Sequence, residues 1–246
     1  MNEIENAIDI LRQSRHLIAF CGAGISVESG IPPFRGEGGL WNKYDPDCLD
    51  LDFYLSRPSQ IWGTIKEIFY DFFGEAKPNP AHYALAEMEK QGVLKSVITQ
   101  NIDNLHQEAG SKAVIEYHGN SHYFVCMSCG KRYDLDDIKL NSKPPRCGKC
   151  NGLLKPDFVF FGEAIPEIAS NRAFDEAEHA DVVLVIGTTG EIMPACLIPR
   201  LAHQHGAKII EINPGYSSYR YSITDIHIAL KAGEVLPLLA KGILGE

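Results

Sequence analysis

No apolar run in this 246-residue sequence is longer than that of Val182 to Ile186, far short of the roughly 20 residues that span a bilayer. A membrane-spanning helix is excluded. The start of the chain also lacks the unbroken apolar stretch of a secretory leader. Acids and bases instead run through Ile4, Ala7, Ile8 and Leu11, the spacing of an amphipathic helix. Positive charge is scarce: 23 Lys and Arg face 32 Asp and Glu, a formal charge of −9, so binding nucleic acid across the whole surface is not expected. Seven cysteines are too few for a disulfide scaffold of this length, and no repeat or low-complexity tract is present. The remainder, 45% hydrophobic and 22% charged, is the composition of a packed globular protein.

Four β-rich segments organise the chain: 16–21 (HLIAFC), 94–99 (LKSVIT), 181–186 (DVVLVI) and 207–212 (AKIIEI). The last three are rich in branched apolar residues, the mark of strands in a parallel sheet covered by helices. Helical patterns at 79–90, 167–177 and 194–205 alternate with them, with Pro80 near one start and Gly92 and Gly206 as stops. The alternation predicts a doubly wound, Rossmann-like parallel α/β sheet. Two stretches interrupt it. Residues 36–75 are rich in aromatics, with helical spacing after Pro58, and residues 122–155 carry cysteine pairs and few apolar residues. The expected division is therefore a main domain of 1–35, 76–121 and 156–246, beside a smaller lobe formed by the other two stretches.

The cysteines are informative in their spacing. Cys126-x-x-Cys129 and Cys147-x-x-Cys150 are separated by 17 residues, the arrangement of a four-thiolate zinc site. Gly130 and Gly148 suit tight turns at each pair. Four protein ligands leave no open position, so one structural Zn2+ is expected, in a reducing compartment, the cytoplasm. The basic flanks of the module suit a solvated zinc lobe better than a nucleic-acid reader.

Three further clusters carry chemistry. Gly22-Ala23-Gly24-Ile25-Ser26 follows the first strand, where glycines let backbone approach a pyrophosphate and a helix start offers free N–H groups, although Val27 replaces the third glycine of the dinucleotide fingerprint. Gln100-Asn101-Ile102-Asp103 follows the second strand, at the strand end where open α/β sheets bind ligands. His118 beside Gly119 has the side chain and the space for general base work.

Taken in order, GAGIS (22–26), SGIPPFRG (29–36), TQNID (99–103), HG (118–119), the four cysteines, FGE (161–163), GTT (187–189) and IN (212–213) resemble the sirtuins, NAD-dependent protein-lysine deacylases, over nearly the whole chain. The resemblance implies that NAD is the co-substrate. Gly22, Ala23, Gly24 and Ser26 would cradle its phosphates, and Phe34 and Arg35 would belong to a mobile loop over it. Gln100, Asn101, Ile102 and Asp103 would line the ribose and nicotinamide pocket. Gly187, Thr188, Thr189, Asn213 and Ala232 would hold the adenosine half. His118, with Asn101, would be catalytic, the histidine drawing a proton through the ribose hydroxyls. Acyl-lysine peptides or proteins would be the partners of a monomer, pairing as an added strand with Phe161, Gly162 and Glu163 on one side and Ile192 on the other. Nicotinamide and O-acetyl-ADP-ribose would leave.

The same NAD site could end the reaction as an NAD glycohydrolase or an ADP-ribosyltransferase, and a binding module without turnover is the reading from a third class. Three departures from the sirtuin pattern bear on these alternatives and on the acyl group. Pro33 stands where the loop usually has an acid, and Glu191 where an apolar residue is common. Ile65 and Ile68 occupy the positions of the Tyr and Arg that select negatively charged acyl groups, which favours acetyl over succinyl.

Overall fold

The computed structural model describes residues 3–34 and 38–245. Strands β1 (Leu17–Cys21), β2 (Leu94–Thr99), β3 (Val114–Glu116), β7 (Val182–Ile186), β8 (Lys208–Ile212) and β9 (Ile226–Ile228) form one parallel sheet in the order β3-β2-β1-β7-β8-β9. Every residue of β1 and β7 is buried, which explains their unbroken apolar character.

Alternate side chains of each strand serve opposite faces. Leu17, Ala19, Val97, Leu184 and Ile210 pack with helices α1 (Glu3–Gln13), α4 (Pro80–Lys90) and α8 (Ala232–Leu244). Ile18, Phe20, Ile98, Val183 and Ile209 pack with α6 (Glu167–His179) and α7 (Leu197–Gln204). Helices on both faces make the expected doubly wound architecture. None of them, among the described residues, is long and apolar enough to cross a membrane.

Helix α7 is shorter than the 194–205 pattern suggests. In a helix begun at Pro194, the backbone of residue 199 would have to donate to the carbonyl of Ala195, and Pro199 has no N–H. Begun at Leu197, the helix holds Pro199 in its first turn, where that donor has no intrahelical partner anyway.

The other sheet is antiparallel, with β4 (Gly119–Cys126) between β5 (Arg132–Asp134) and β6 (Leu154–Phe158). It is slightly wider than the 122–155 stretch marked out by composition. It shares a third core with α2 (Leu51–Ser56), α3 (Pro58–Lys66) and the π-helical turn Glu67–Phe72. Trp62 and Tyr54 are fully buried in this core. The Trp62 indole donates to the Asn141 carbonyl (2.8 Å) and the Tyr54 hydroxyl to that of Leu154 (2.7 Å), so aromatic insertion and cysteine-bearing module are welded together.

Two buried histidines set an acid limit on the fold. His82 closes the capping box of α4, its Nδ1 accepting the Asn79 N–H, and its ring lies 4.9 Å from that of His106 in helix α5 (Leu105–Glu108). Burial pulls His82 down to about 4 and His106 well below its ordinary value. The unfolded chain therefore binds more protons between pH 6.5 and 4, and stability falls as pH falls through that window. His82 alone accounts for a loss on the order of 3 kcal/mol. Thermal melts from pH 7.5 to 4.5 should show the decline, and a His82→Asn variant, which keeps an acceptor near Nδ1 but cannot titrate, should show a shallower one.

Candidate functional site

The chain turns back between β1 and β7: strands to one side follow β1, and strands to the other follow β7. Their carboxyl ends flank the crevice where open α/β sheets take ligands. Both strands end at a glycine, and the two loops touch backbone to backbone. A Cβ on Gly24 would lie 2.5 Å from Gly187 Cα, and one on Gly22 would lie 2.8 Å from the Gly187 oxygen. Gly187 itself has a φ of +59. The Gly24 N–H donates to the Gly187 carbonyl at 2.8 Å. The helix expected after GAGIS is a seven-residue 3-10 segment, Ala23–Ser29, stopped by Gly30 in the left-handed region. Val27, where the fingerprint has its third glycine, is exposed.

The polar residues after β2 reach into this joint. Asn101 donates to the Gly22 carbonyl and the Ser26 hydroxyl, both at 3.2 Å. The Ser26 hydroxyl donates to Asp103 (2.7 Å), whose other oxygen accepts the Leu105 N–H. Loss of water pushes Asp103 above the usual carboxylate value, against the pull of those two hydrogen bonds. Gln100 donates to Thr188 Oγ1 (3.3 Å), and Asn213 to the Thr188 carbonyl (3.2 Å). The Thr189 carbonyl accepts from Ser218, outside this joint. Ala232 opens α8, which Glu28 ties to the same loop by accepting the Gly233 N–H. The Ile102 carbonyl accepts both the N–H and hydroxyl of Ser121.

His118 lies between the two sheets. Its Nδ1 is 3.0 Å from the Gln100 carbonyl, which can only accept, so Nδ1 carries the proton and Nε2 presents a bare lone pair. Burial lowers its pKa, the Gln100 bond opposing, and the ring is neutral at pH 7. Gly119 has a φ of +76, and a Cβ there would sit 2.3 Å from the Asp157 oxygen. The start of β4 is thus pressed against β6, and the Val159 N–H donates to the His118 carbonyl (2.8 Å).

Phe34, Trp41 and Phe161 form a row, with ring centroids 5.3 and 6.4 Å apart, while Arg35 lies outside the described residues. Phe161 is well exposed, and its backbone pairs with Leu49 and Leu51. Gly162 has a φ of +82. The Glu163 carboxylate accepts the Phe160 N–H, an internal bond rather than one left open for a ligand. The Ile192 carbonyl receives the Cys196 N–H ahead of α7. Cys21, at the end of β1, is fully buried, and burial and then Asp103 push its thiol far up, which leaves it inert. Sequence reading missed Asn79, whose buried amide holds the Ile25 carbonyl and Ser29; Asn before Pro80 at a helix start is the signal. It also missed Lys155, one of seven basic residues in a basic module.

The four cysteine sulfurs lie within 4.8 Å of one another, with Cys126–Cys150 at 3.5 Å and Cys129–Cys147 at 3.8 Å. Tetrahedral zinc with sulfur at about 2.3 Å requires separations of about 3.8 Å, so the donor set fits that ion and closes it off. Each pair sits on a knuckle: Gly130 donates to the Cys126 carbonyl and Asn151 to that of Cys147. The left-handed residues are Gly130 and Asn151, so the turn expected at Gly148 falls at Asn151. The Tyr133 hydroxyl, 3.1 Å from the Cys147 sulfur, helps bring that thiol to about 6.

Residues 22–194 match the model of the Sir2 family. The chain is 49% identical over 244 residues to the NAD-dependent protein deacylase of Pyrococcus furiosus, covering 95% of each. A Sir2 homologue in complex with ADP-ribose superposes with a TM-score of 0.94 at 39% identity, over 100% of this chain and 97% of the other. A Sir2 variant with a deacetylated p53 peptide and 3'-O-acetyl ADP-ribose superposes with a TM-score of 0.91 at 36% identity, over 97% of each.

Elemental analysis should find one zinc per chain. Because Trp62 is tied to Asn141 of the zinc module, chelation should shift tryptophan emission to the red and lower the melting temperature. A metal-free protein with unchanged emission and melting would overturn the zinc assignment.

Proposed function

The chain belongs to the Sir2 family, and from that premise we propose that it is an NAD-dependent protein-lysine deacetylase, moving the acetyl group of a lysine to ADP-ribose and releasing nicotinamide and O-acetyl-ADP-ribose. One observation carries the reading: a neutral histidine whose free nitrogen is defined by a backbone carbonyl, beside the Asn101–Ser26–Asp103 network of the strand-end crevice. The name of the Pyrococcus relative and the products in the Sir2 complex support it.

NAD would supply a ribose carbon that accepts the acyl oxygen as nicotinamide leaves. Glycines 22, 24 and 187, with Ala23, would hold the phosphates, with Ser26, Gln100, Asn101, Ile102 and Asp103 around the ribose and nicotinamide. Thr188, Thr189, Asn213 and Ala232 would line the adenosine end, and Phe34 and Arg35 the loop above. Asn101, fixed through two hydrogen bonds, holds its side-chain oxygen in a set orientation. His118 accepts a proton at Nε2, and the Gln100 carbonyl bonded to Nδ1–H stabilises the imidazolium that results. The substrate peptide would lie along Phe161–Glu163 and Ile192. The main domain (1–35, 76–121 and 156–246) and the smaller lobe (36–75 and 122–155) would be the working units, and the cytoplasm would keep Cys21, Cys48 and Cys196 reduced.

Mass spectrometry of a reaction with NAD and an acetyl-lysine peptide tests the reading. O-acetyl-ADP-ribose should form, and His118→Ala should lower kcat/KM by about 10²–10⁴. Free ADP-ribose without deacetylation would instead indicate the glycohydrolase. Rate should be flat above pH 7 and fall only below 6.5, as acid protonates a base whose pKa is depressed.

Acyl preference gives a second test. Ile65 and Ile68 are buried in the apolar core with Trp62, and neither position offers a cation to a carboxylate. Acetyl-lysine should exceed succinyl-lysine in kcat/KM by at least about tenfold; equal turnover would overturn this preference.

A further inference from the structure

Lys155 in β6 is the one lysine of this chain whose side chain is almost wholly buried, at 2% exposure, among the described residues. An ammonium survives such burial only when its donors are paired. All three are. Nζ donates to the carbonyls of Pro156 (2.8 Å) and Phe158 (2.7 Å) and lies 3.0 Å from Glu163 Oε2, with the Phe160 ring 4.5 Å away. Burial lowers its pKa, and the Glu163 carboxylate pulls back against that.

Every partner belongs to the segment that follows Lys155 in the chain. Glu163 Oε2 also accepts the Phe160 N–H (2.9 Å), and the Glu163 N–H returns to the Phe160 carbonyl (3.0 Å). Residues 156–163 are thereby wrapped around one cation. The wrapped segment touches two working parts of the site. At one end, the Val159 N–H meets the His118 carbonyl; at the other, the backbone of Phe161 is bound to Leu49 and Leu51. Directly after Phe161, Gly162 has, among the described residues, neither its N–H nor its carbonyl paired. Those groups are available to an added strand.

We propose that Lys155 is a positioning residue for the acyl-lysine peptide: its ammonium and Glu163 fix the Phe160–Glu163 turn so that the Gly162 backbone faces the substrate main chain at a set distance from His118. The inference rests on the deacetylase reading and adds to it a residue that touches neither substrate nor NAD. Its action is confined to one side of the site, because the crevice joint of Gly22, Gly24, Gly187 and Asn101 shares no hydrogen bond with the Lys155 cluster.

The test separates peptide from cofactor. A fluorescein-labelled acetyl-lysine peptide is titrated by anisotropy and ADP-ribose by calorimetry, on the full zinc-loaded chain, alongside steady-state kinetics. Lys155→Met should weaken peptide binding and raise peptide KM by about tenfold or more, with ADP-ribose affinity within about twofold of wild type. Lys155→Arg, which restores the charge, should recover most of the loss. Should Lys155→Met fail to fold, Glu163→Gln, altered at the more exposed partner, should show the same split. Unchanged peptide affinity in whichever variant folds, or parallel loss of peptide and ADP-ribose affinity, would overturn the role. Wild-type protein that binds the peptide but yields no O-acetyl-ADP-ribose would overturn the deacetylase reading instead, since binding is measured apart from turnover.

Discussion

The site depends on a contact between two pieces of backbone. Gly24 and Gly187 approach so closely that no side chain fits between them, and the N–H of one bonds the carbonyl of the other. This joint closes the crevice at the strand ends and gives Asn101, Gln100 and Asn213 fixed carbonyls and hydroxyls to hold. A looser joint would leave those amides without partners, and buried amides without partners are costly. The glycines are thus needed for packing before they are needed for any ligand.

The second sheet brings a different kind of order. Strands β4 and β6 run from the cysteine knuckles to His118 and to the Phe160–Glu163 turn, so the four-cysteine cluster is one strand length from the crevice on each side. A closed thiolate site takes no part in proton transfer. What it contributes is rigidity at the distal end of β4 and β6, while the aromatic core of Tyr54, Trp62, Phe124 and Phe158 fills the space beside them. His118 is held from three directions: by Gln100 on the ring, by Val159 on the carbonyl, and by the close approach of Gly119 to Asp157.

Much of this was legible because it follows from burial and spacing. β2 ends where the sequence says it should, the buried run of Val97 and Ile98 closing at Thr99 ahead of the polar Gln100 and Asn101. The four cysteines come together as their intervals require. Strand order was not legible, because parallel neighbours are chosen by crossover connections rather than by local pattern. β3 and β9, three residues each, are too short to show a period. Pro199 was visible, but its consequence appears only when the helix is counted from a particular start. Lys155 was hidden most thoroughly: a buried ammonium and a solvated one are the same letter, and only the three carbonyl and carboxylate oxygens around it tell them apart.

The crowding at Gly119 also bears on how such a sequence can diverge. A position where even a methyl group meets a carbonyl oxygen, on a backbone angle that other residues avoid, admits no neutral drift. Exposed side chains elsewhere on the zinc module, such as Lys139 and Lys143, carry no such restriction. The place of His118 at the start of β4 is thus set by main-chain geometry that no substitution at Gly119 can adjust by small steps.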